Sequence, residues 1–307
     1  MDIKWLEDLL VLLEEKSFTR AAVRRHVTQP AFSRRIRLLE DWLGVDIIDR
    51  STKPVQVLPI GISLEEGVRD LVNRLYFLRS NLQASAINQD RVSFVVVHTL
   101  AISLFPALIQ QVKQVLPTTS YCVNPQNNDD CESVFFKGAD LMLAYELALH
   151  RFDFSNLAFD RFQLGVEKLV PVVSAGFFAR FDSTQAMLSS RLPALMYQKD
   201  GIFSEALTNT CLPAVLRDYQ LDIICESPFS ASLKEMALAD MGLTWLAGGI
   251  VNKELDSGQL ISLEEELGSA QLDIVLFCRE DNRSSQARQV FDLIRKTADP
   301  GKLMSAI

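Results

Sequence analysis

Residues 28 to 37 read TQPAFSRRIR, a run rich in side chains that can recognise a DNA base pair. An arginine such as Arg34 or Arg37 can bond guanine O6 and N7 with both arms of its guanidinium, and Gln29 can do the same for adenine N6 and N7. On a helix turning about 100° per residue, Gln29, Pro30, Ser33, Arg34 and Arg37 gather roughly 130° away from Phe32, Ile36, Leu39 and Leu43. One face packs and the other is free to read. Arg35 points away from the reading side, which suits a salt-bridge partner or a phosphate contact.

A reading helix needs a frame. Leu6, Leu9, Leu10 and Leu13 follow the i, i+3, i+4, i+7 spacing of a helix with one buried face, ending near Lys16. Thr19 is expected to cap a short second helix whose Ala21 and Ala22 allow close approach. After the brief connection RHVTQ, Thr28 is expected to cap the third helix, with Pro30 in its first turn, where a missing N–H costs nothing. Charge agrees with this layout: residues 16 to 39 hold seven Lys/Arg and no acid, although the whole chain carries a formal net charge of -8. Residues 88 to 307 hold 18 Lys/Arg against 27 Asp/Glu, so a locally basic module precedes an acidic body.

Past the third helix, GVDIIDRSTKPVQVLP alternates apolar and polar residues about a turn-like STKP, which predicts a small hairpin with Arg50 and Lys53 near its tip. Basic groups on such a wing would hold phosphates and add affinity without sequence information. The runs SFTRAA (17–22), VTQPAFSRRIRLLE (27–40), LGV (43–45) and DR (49–50) resemble, in order and spacing, the winged helix-turn-helix of LysR-type transcriptional regulators. The resemblance covers about sixty residues. It implies base-facing roles for Gln29, Pro30, Ser33 and Arg34, wing contacts for Arg50 and Lys53, and a candidate DNA-contact set completed by Thr28 and Arg37. Two features depart from the family pattern: Arg25 stands where many members have an apolar residue, and LPIG (58–61) replaces the usual Leu-Thr-Glu-x-Gly.

Leu64, Val68, Leu71, Leu75, Leu78 and Leu82 follow at spacings of 4, 3, 4, 3 and 4, an a/d seam that asks for a partner. Gly67 within it costs about 1 kcal/mol relative to Ala, so packing on its own domain competes with pairing. The resemblance implies a dimer through this helix, and pairing of dimers into a homotetramer, on a partly palindromic double-stranded DNA site, since two half-sites need two reading heads.

From residue 88 the texture is that of an α/β protein with a largely parallel sheet: strand 92–97, a helix, strand GADLMLAY, then KLVPVVSA, LPALMY, LDIIC, the helix-strand run 230–249, strand LDIVLFC and helix SSQARQVFDLIRK. This order resembles the LysR effector domain, two Rossmann-like lobes of the periplasmic-binding-protein type whose chain crosses twice, near 163–167 and 260–270. The expected organisation is residues 1–59 as winged helix-turn-helix, 60–87 as linker and dimerisation helix, and 88–307 as effector domain, with lobe 1 at 88–162 and 268–307 and lobe 2 at 163–267. Ligands of open α/β sheets bind outside the carboxyl ends of strands, where helix N-termini present bare N–H groups. Those ends here are His98, Thr99 and Ser103, then Tyr145, then Tyr197 and Phe203, then Ser227, Ser230 and Ser232. These are the candidate effector residues, suited to an anion or a polar small molecule. Each serine read alone is equally an ordinary helix cap.

Other functions are bounded by what the chain contains. The N-terminal run MDIKWLEDLLVLLEEK mixes acids into its apolar positions, and no stretch reaches the ~18 apolar residues of a membrane span, so the expectation is a cytoplasmic protein with no membrane partner. Five cysteines (Cys122, Cys131, Cys211, Cys225 and Cys278) show no C-x-x-C spacing, as reduced thiols do. His26, His98 and His150 are far apart, and the phosphate-loop, H-x-x-x-H and G-x-S-x-G motifs do not occur, so no enzyme, metal or cofactor is expected. The head and HTLAISLFP (98–106) also resemble the hypochlorite-responsive branch of the family, which leaves open a regulator switched by Cys or Met oxidation. A solute-binding protein or an enzyme built on the α/β part is the remaining alternative.

Overall fold

In the computed structural model, three helices build the N-terminal unit: α1 (Ile3–Glu15), α2 (Phe18–Arg24) and α3 (Gln29–Leu43). The structure describes residues 2–49, 56–65, 67–69, 71, 72, 75, 76, 79, 91–152, 154, 158–280 and 284–297. Contacts divide the chain into two units, residues 1–83 with 136–138, and residues 84–135 with 139–307.

The first unit packs as its periodicity dictates. Leu6, Leu9, Leu10 and Leu13 of α1 and Phe32, Ile36 and Leu39 of α3 are buried around Ala21 and Ala22, while Leu43 is half-buried. Lys16, at φ 48°, closes α1. The cap of α2 is Ser17, not Thr19: its hydroxyl accepts the Arg20 N–H, and Thr19 already lies inside the helix. Thr28 does occupy the N-cap of α3 in extended backbone, but its hydroxyl makes no capping bond. Gly44, at φ 73°, ends α3 in the left-handed conformation that glycine adopts without strain. Strands β1 (Ile48–Asp49) and β2 (Gln56–Val57) then pair antiparallel as the stem of the wing. Glu40, buried at the end of α3, accepts the N–H groups of Ile47 and Ile48 at 2.9 and 3.1 Å and so fixes where the wing leaves the helix.

The expected seam divides in two. Val68 and Val72 are buried in the core of this unit, with Leu64 and Tyr76 packed against it, whereas Leu71 and Leu75 are 43% and 39% exposed. One helix face therefore serves its own unit, and Leu71 and Leu75 stand outside that core. Leu78 and Leu82, like the wing-tip residues Arg50 and Lys53, lie outside the described residues.

The second unit is α/β around a seven-stranded sheet ordered β10-β6-β11-β5-β3-β4, with β9 also paired to β6. Its strands are β3 (Arg91–Val97), β4 (Ser120–Gln126), β5 (Leu141–Glu146), β6 (Phe159–Ser174), β9 (Thr244–Ala247), β10 (Leu260–Ser262) and β11 (Ala270–Arg279). A separate parallel pair joins β7 (Leu192–Tyr197) to β8 (Leu221–Ser227), and an Ala194–Leu243 bridge ties it to the chain entering β9. Only part of this is the parallel sheet expected from the sequence. β3 pairs parallel with β4 and β5, but β6 and β11 run antiparallel to each other and to the other strands they meet. The cause is the double crossing: a strand carrying the chain out of one half of the sheet and a strand bringing it back must run in opposite directions. The 16-residue β6 belongs to both halves, meeting β11 from Phe159 to Leu169 and then β9 and β10 from Leu169 to Ser174. Among the described residues, no helix is long and apolar enough to cross a membrane.

Candidate DNA interface and effector cavity

Tertiary contacts sort the arginines of the N-terminal unit. Arg24 reaches Glu14 and Glu15 at 2.8 and 3.1 Å, and Arg20 bonds the Glu15 carbonyl at 2.5 Å and approaches its carboxylate at 3.4 Å. Arg25, the unusual residue of α2's end, bridges Asp8 at 2.7 Å and Glu7 at 2.5 Å, and Arg35 approaches the other oxygen of Asp8 at 3.4 Å. Asp8 is fully buried, and a buried charge is tolerated only when paired. These four guanidiniums are thus committed to the acids of α1. Among the described residues, Arg34 and Arg37 pair with no carboxylate, and both are exposed on α3 beside Thr28, Gln29, Pro30 and the half-buried Ser33. The α2–α3 turn passes through His26 at φ 55°, and the Val27 N–H bonds the Ala22 carbonyl at 3.0 Å, which sets the two helices at a fixed angle. The result is an exposed helix face with donors and acceptors at its N-terminal half, held by a neutralised scaffold, the form that enters a major groove.

In the second unit, the expected effector residues separate by role. Thr99 and Ser230, 131 positions apart in sequence, meet at 3.1 Å, and Ser230 lies 2.8 Å from the Tyr197 hydroxyl. All three are buried, and their bonds link the helix His98–Ile102 after β3 to the end of β7 and the helix Ser230–Leu238. Phe203 packs between Tyr145 and Tyr197, with ring centroids 5.2 and 4.9 Å apart. The sequence placed Tyr145 in the cleft; its side chain is fully buried, and its hydroxyl donates to Glu167 at 3.3 Å. Ser227 accepts the Phe229 N–H at 3.1 Å, and Ser103 donates to the Thr99 carbonyl at 3.0 Å, both local bonds.

Two cavities flank the Thr99–Ser230–Tyr197 chain. One, of about 170 Å³, lies over His98, Thr99, Tyr197 and Phe203 and is bounded on its other sides by Gln126 to Asp129 and by Gln198, Asp200, Gly201 and Ile202. The other, of about 310 Å³, is lined by His98, Thr99, Ile102, Ser230 and Ser232, with Phe229 and Ile250 as apolar walls. His98 belongs to both, its ring edge-on to Phe229 at 5.0 Å. Sequence reasoning missed the amide and acid wall from Gln126 to Asp129, because it follows β4, an edge strand with a mixed pattern of half-buried and exposed residues. It also missed Glu167, buried on β6, which accepts the N–H of Lys168 at 3.0 Å and of Gly249 at 3.4 Å. Burial pushes the Glu167 carboxyl above its ordinary value, against those backbone bonds and Tyr145, which favour its charge.

An exposed reading helix on one unit and a cavity-bearing crossed α/β unit define a ligand-responsive DNA-binding protein. The comparisons agree: the model of the bacterial regulatory helix-turn-helix protein, lysR family, matches residues 3–61, and that of the LysR substrate binding domain matches residues 86–299. The chain belongs to the LysR family of DNA-binding transcriptional regulators. It is 26% identical over 268 residues to the HTH-type transcriptional regulator YjiE of Escherichia coli K12, covering 87% of this chain and 85% of that protein. Among solved structures, Vibrio fischeri DarR in complex with DNA is 26% identical with a TM-score of 0.57, covering 96% of this chain and 98% of that one. Full-length HypT of Salmonella typhimurium, described as a hypochlorite-specific LysR-type transcriptional regulator, shares the fold with a TM-score of 0.58 at 24% identity, over 97% and 98% of the two chains.

Proposed function

We propose that this regulator's affinity for promoter DNA is set by a small molecule bound in the cavity beside Thr99, and that it works in the cytoplasm by shifting a binding equilibrium rather than by turnover. The observation that carries this is the Thr99–Ser230–Tyr197 hydroxyl chain. It joins the β3 side of the seven-stranded sheet to the separate β7–β8 pair at the rim of both cavities, so a ligand that bonds these hydroxyls favours one relative position of these two parts over another. Residues 60–87 act as the linker that passes this change to the heads, and Leu71 and Leu75, exposed on it, supply the dimer contact. On the DNA side, Gln29, Ser33, Arg34 and Arg37 meet base edges, with Thr28 and Pro30 alongside and Arg50 and Lys53 on phosphates.

Oxidation of a cysteine is the weaker reading of the switch. Burial pushes the thiols of Cys131 and Cys278 up to about 12, so both are thiols rather than reactive thiolates at neutral pH. The proposal is tested by melting the purified protein with and without candidate ligands and repeating each ligand that raises Tm in a gel shift on promoter DNA. A ligand at 100 times its Kd adds about 2.7 kcal/mol of stability. If no small molecule alters either property, while hypochlorite or peroxide alters DNA affinity and a Cys→Ser or Met→Leu variant abolishes that response, the oxidant reading replaces this one.

A further inference from the structure

The smaller cavity has a charge character that the strand-end reading did not anticipate. At about 170 Å³ it matches in volume the ~150 Å³ protein cavity that accepts benzene, but it opens to solvent where Asn127, Asp129, Gln198 and Asp200 are exposed, so it receives a body of a few heavy atoms at its polar side. Its polar wall consists of the carboxamides of Gln126, Asn127, Asn128 and Gln198 and the carboxylates of Asp129 and Asp200. No lysine or arginine is among its lining residues; Lys199, although adjacent in sequence to two of them, is not part of the wall. The surroundings are acidic as well. Partial desolvation holds the Asp129 carboxyl above its ordinary value, and Asp130, Glu205 and Asp200 add like charge, with only His150 opposing them. His150 is itself engaged at 2.8 Å by Glu205.

Helix N-termini favour anions, and three helices begin at this cavity, so the two effects must be weighed. A full helix terminus is equivalent to about half a positive charge. Two of the three helices, His98–Ile102 and Ile202–Thr208, have only five and seven residues and carry less than that. The third, Asn128–Phe136, already has Asp129 and Asp130 in its first turn. The two carboxylates at this cavity, with Asp130 beside them, therefore outweigh what the termini supply. Resting on the reading of the space beside Thr99 as the effector site, and taking the smaller of the two cavities there as the one occupied, we infer that the effector carries a positive charge, an ammonium or guanidinium group on a small body with further hydrogen-bonding groups. Its cationic end lies between Asp129 and Asp200, and its donors and acceptors meet the carboxamides.

The test is a melting and calorimetric titration of the full chain at fixed ionic strength with 1,4-diaminobutane, agmatine, neutral 1,4-butanediol, sodium benzoate and sodium bromide. The expected result is that an amine or guanidine probe raises Tm while the neutral and anionic probes do not. Asp129→Asn and Asp200→Asn should each weaken that binding at least tenfold, and Asp200→Glu should restore part of it. Melting of the unliganded variants checks that they fold. Stabilisation by benzoate or bromide alone, or amine binding indifferent to both Asn substitutions, overturns the charge assignment and leaves the cavity as an effector site of another class. If no probe of any charge changes Tm, and none changes DNA affinity, the cavity reading falls and the charge assignment with it.

Discussion

Ser230 is the middle of a three-member hydroxyl chain, and that position makes its removal cost more than removal of either end. In Thr99→Val the shape is kept, one hydroxyl is lost, and Ser230 retains its bond to Tyr197 at 2.8 Å. The cost is that of one net hydrogen bond, about 1 kcal/mol. Ser230→Ala instead leaves two buried hydroxyls, Thr99 and Tyr197, without the partner both share. At about 1–3 kcal/mol for each group left unsatisfied, the total is about 2 kcal/mol or more. Since Tm falls roughly 2–4 °C per kcal/mol in a domain of this size, melting should separate the two variants by several degrees. The double variant should cost less than the sum of the singles, because they share one bond. Equal losses, or strict additivity, would show that the chain is not the bonded unit described here. In a reporter assay, both variants should also lose effector response while DNA affinity without effector is retained, since the reading helix lies in the other unit.

Three further outcomes are expected. Arg34→Ala should cost roughly 1–3 kcal/mol on the cognate site and relax preference at one base pair, whereas Lys53→Ala should weaken all sequences alike; equal small losses in gel shifts would remove Arg34 from the base-reading set. Leu75→Asp should give folded monomers by light scattering, because Leu75 is 39% exposed within its own unit and its loss leaves the Val68 and Val72 core intact; a persistent dimer would place the contact elsewhere. Glu167 has its carboxyl raised by burial, so its protonated form fits the fold better than its charged form. Its contribution to stability is full below the ordinary glutamate value of 4.5 and is lost as pH rises through the higher folded value. Glu167→Gln should therefore flatten the fall in Tm across that window, and an unchanged pH profile would show that Glu167 is not the group responsible.

The local elements were legible in the sequence because they are encoded at short range. The leucine spacing of α1, the apolar face of α3, Pro30 in its first turn and the apolar run of β3 each follow from neighbours within a few residues, and each element forms where its pattern lies. The winged head was legible for the same reason, down to the side on which Gln29, Ser33, Arg34 and Arg37 stand. Which of six similar arginines remain free was not. Arg20, Arg24, Arg25 and Arg35 are committed by carboxylates of another helix, and a charge count along the chain cannot show that pairing. The antiparallel β6–β11 crossing, the bond between Thr99 and Ser230 across 131 positions, the inward turn of Tyr145 onto Glu167, and the approach of Asp129 and Asp200 around one cavity are likewise products of assembly. Periodicity reports which face of an element is buried. The partner that buries it, and the charge that meets it there, depend on contacts between distant segments, and only the packed chain brings those together.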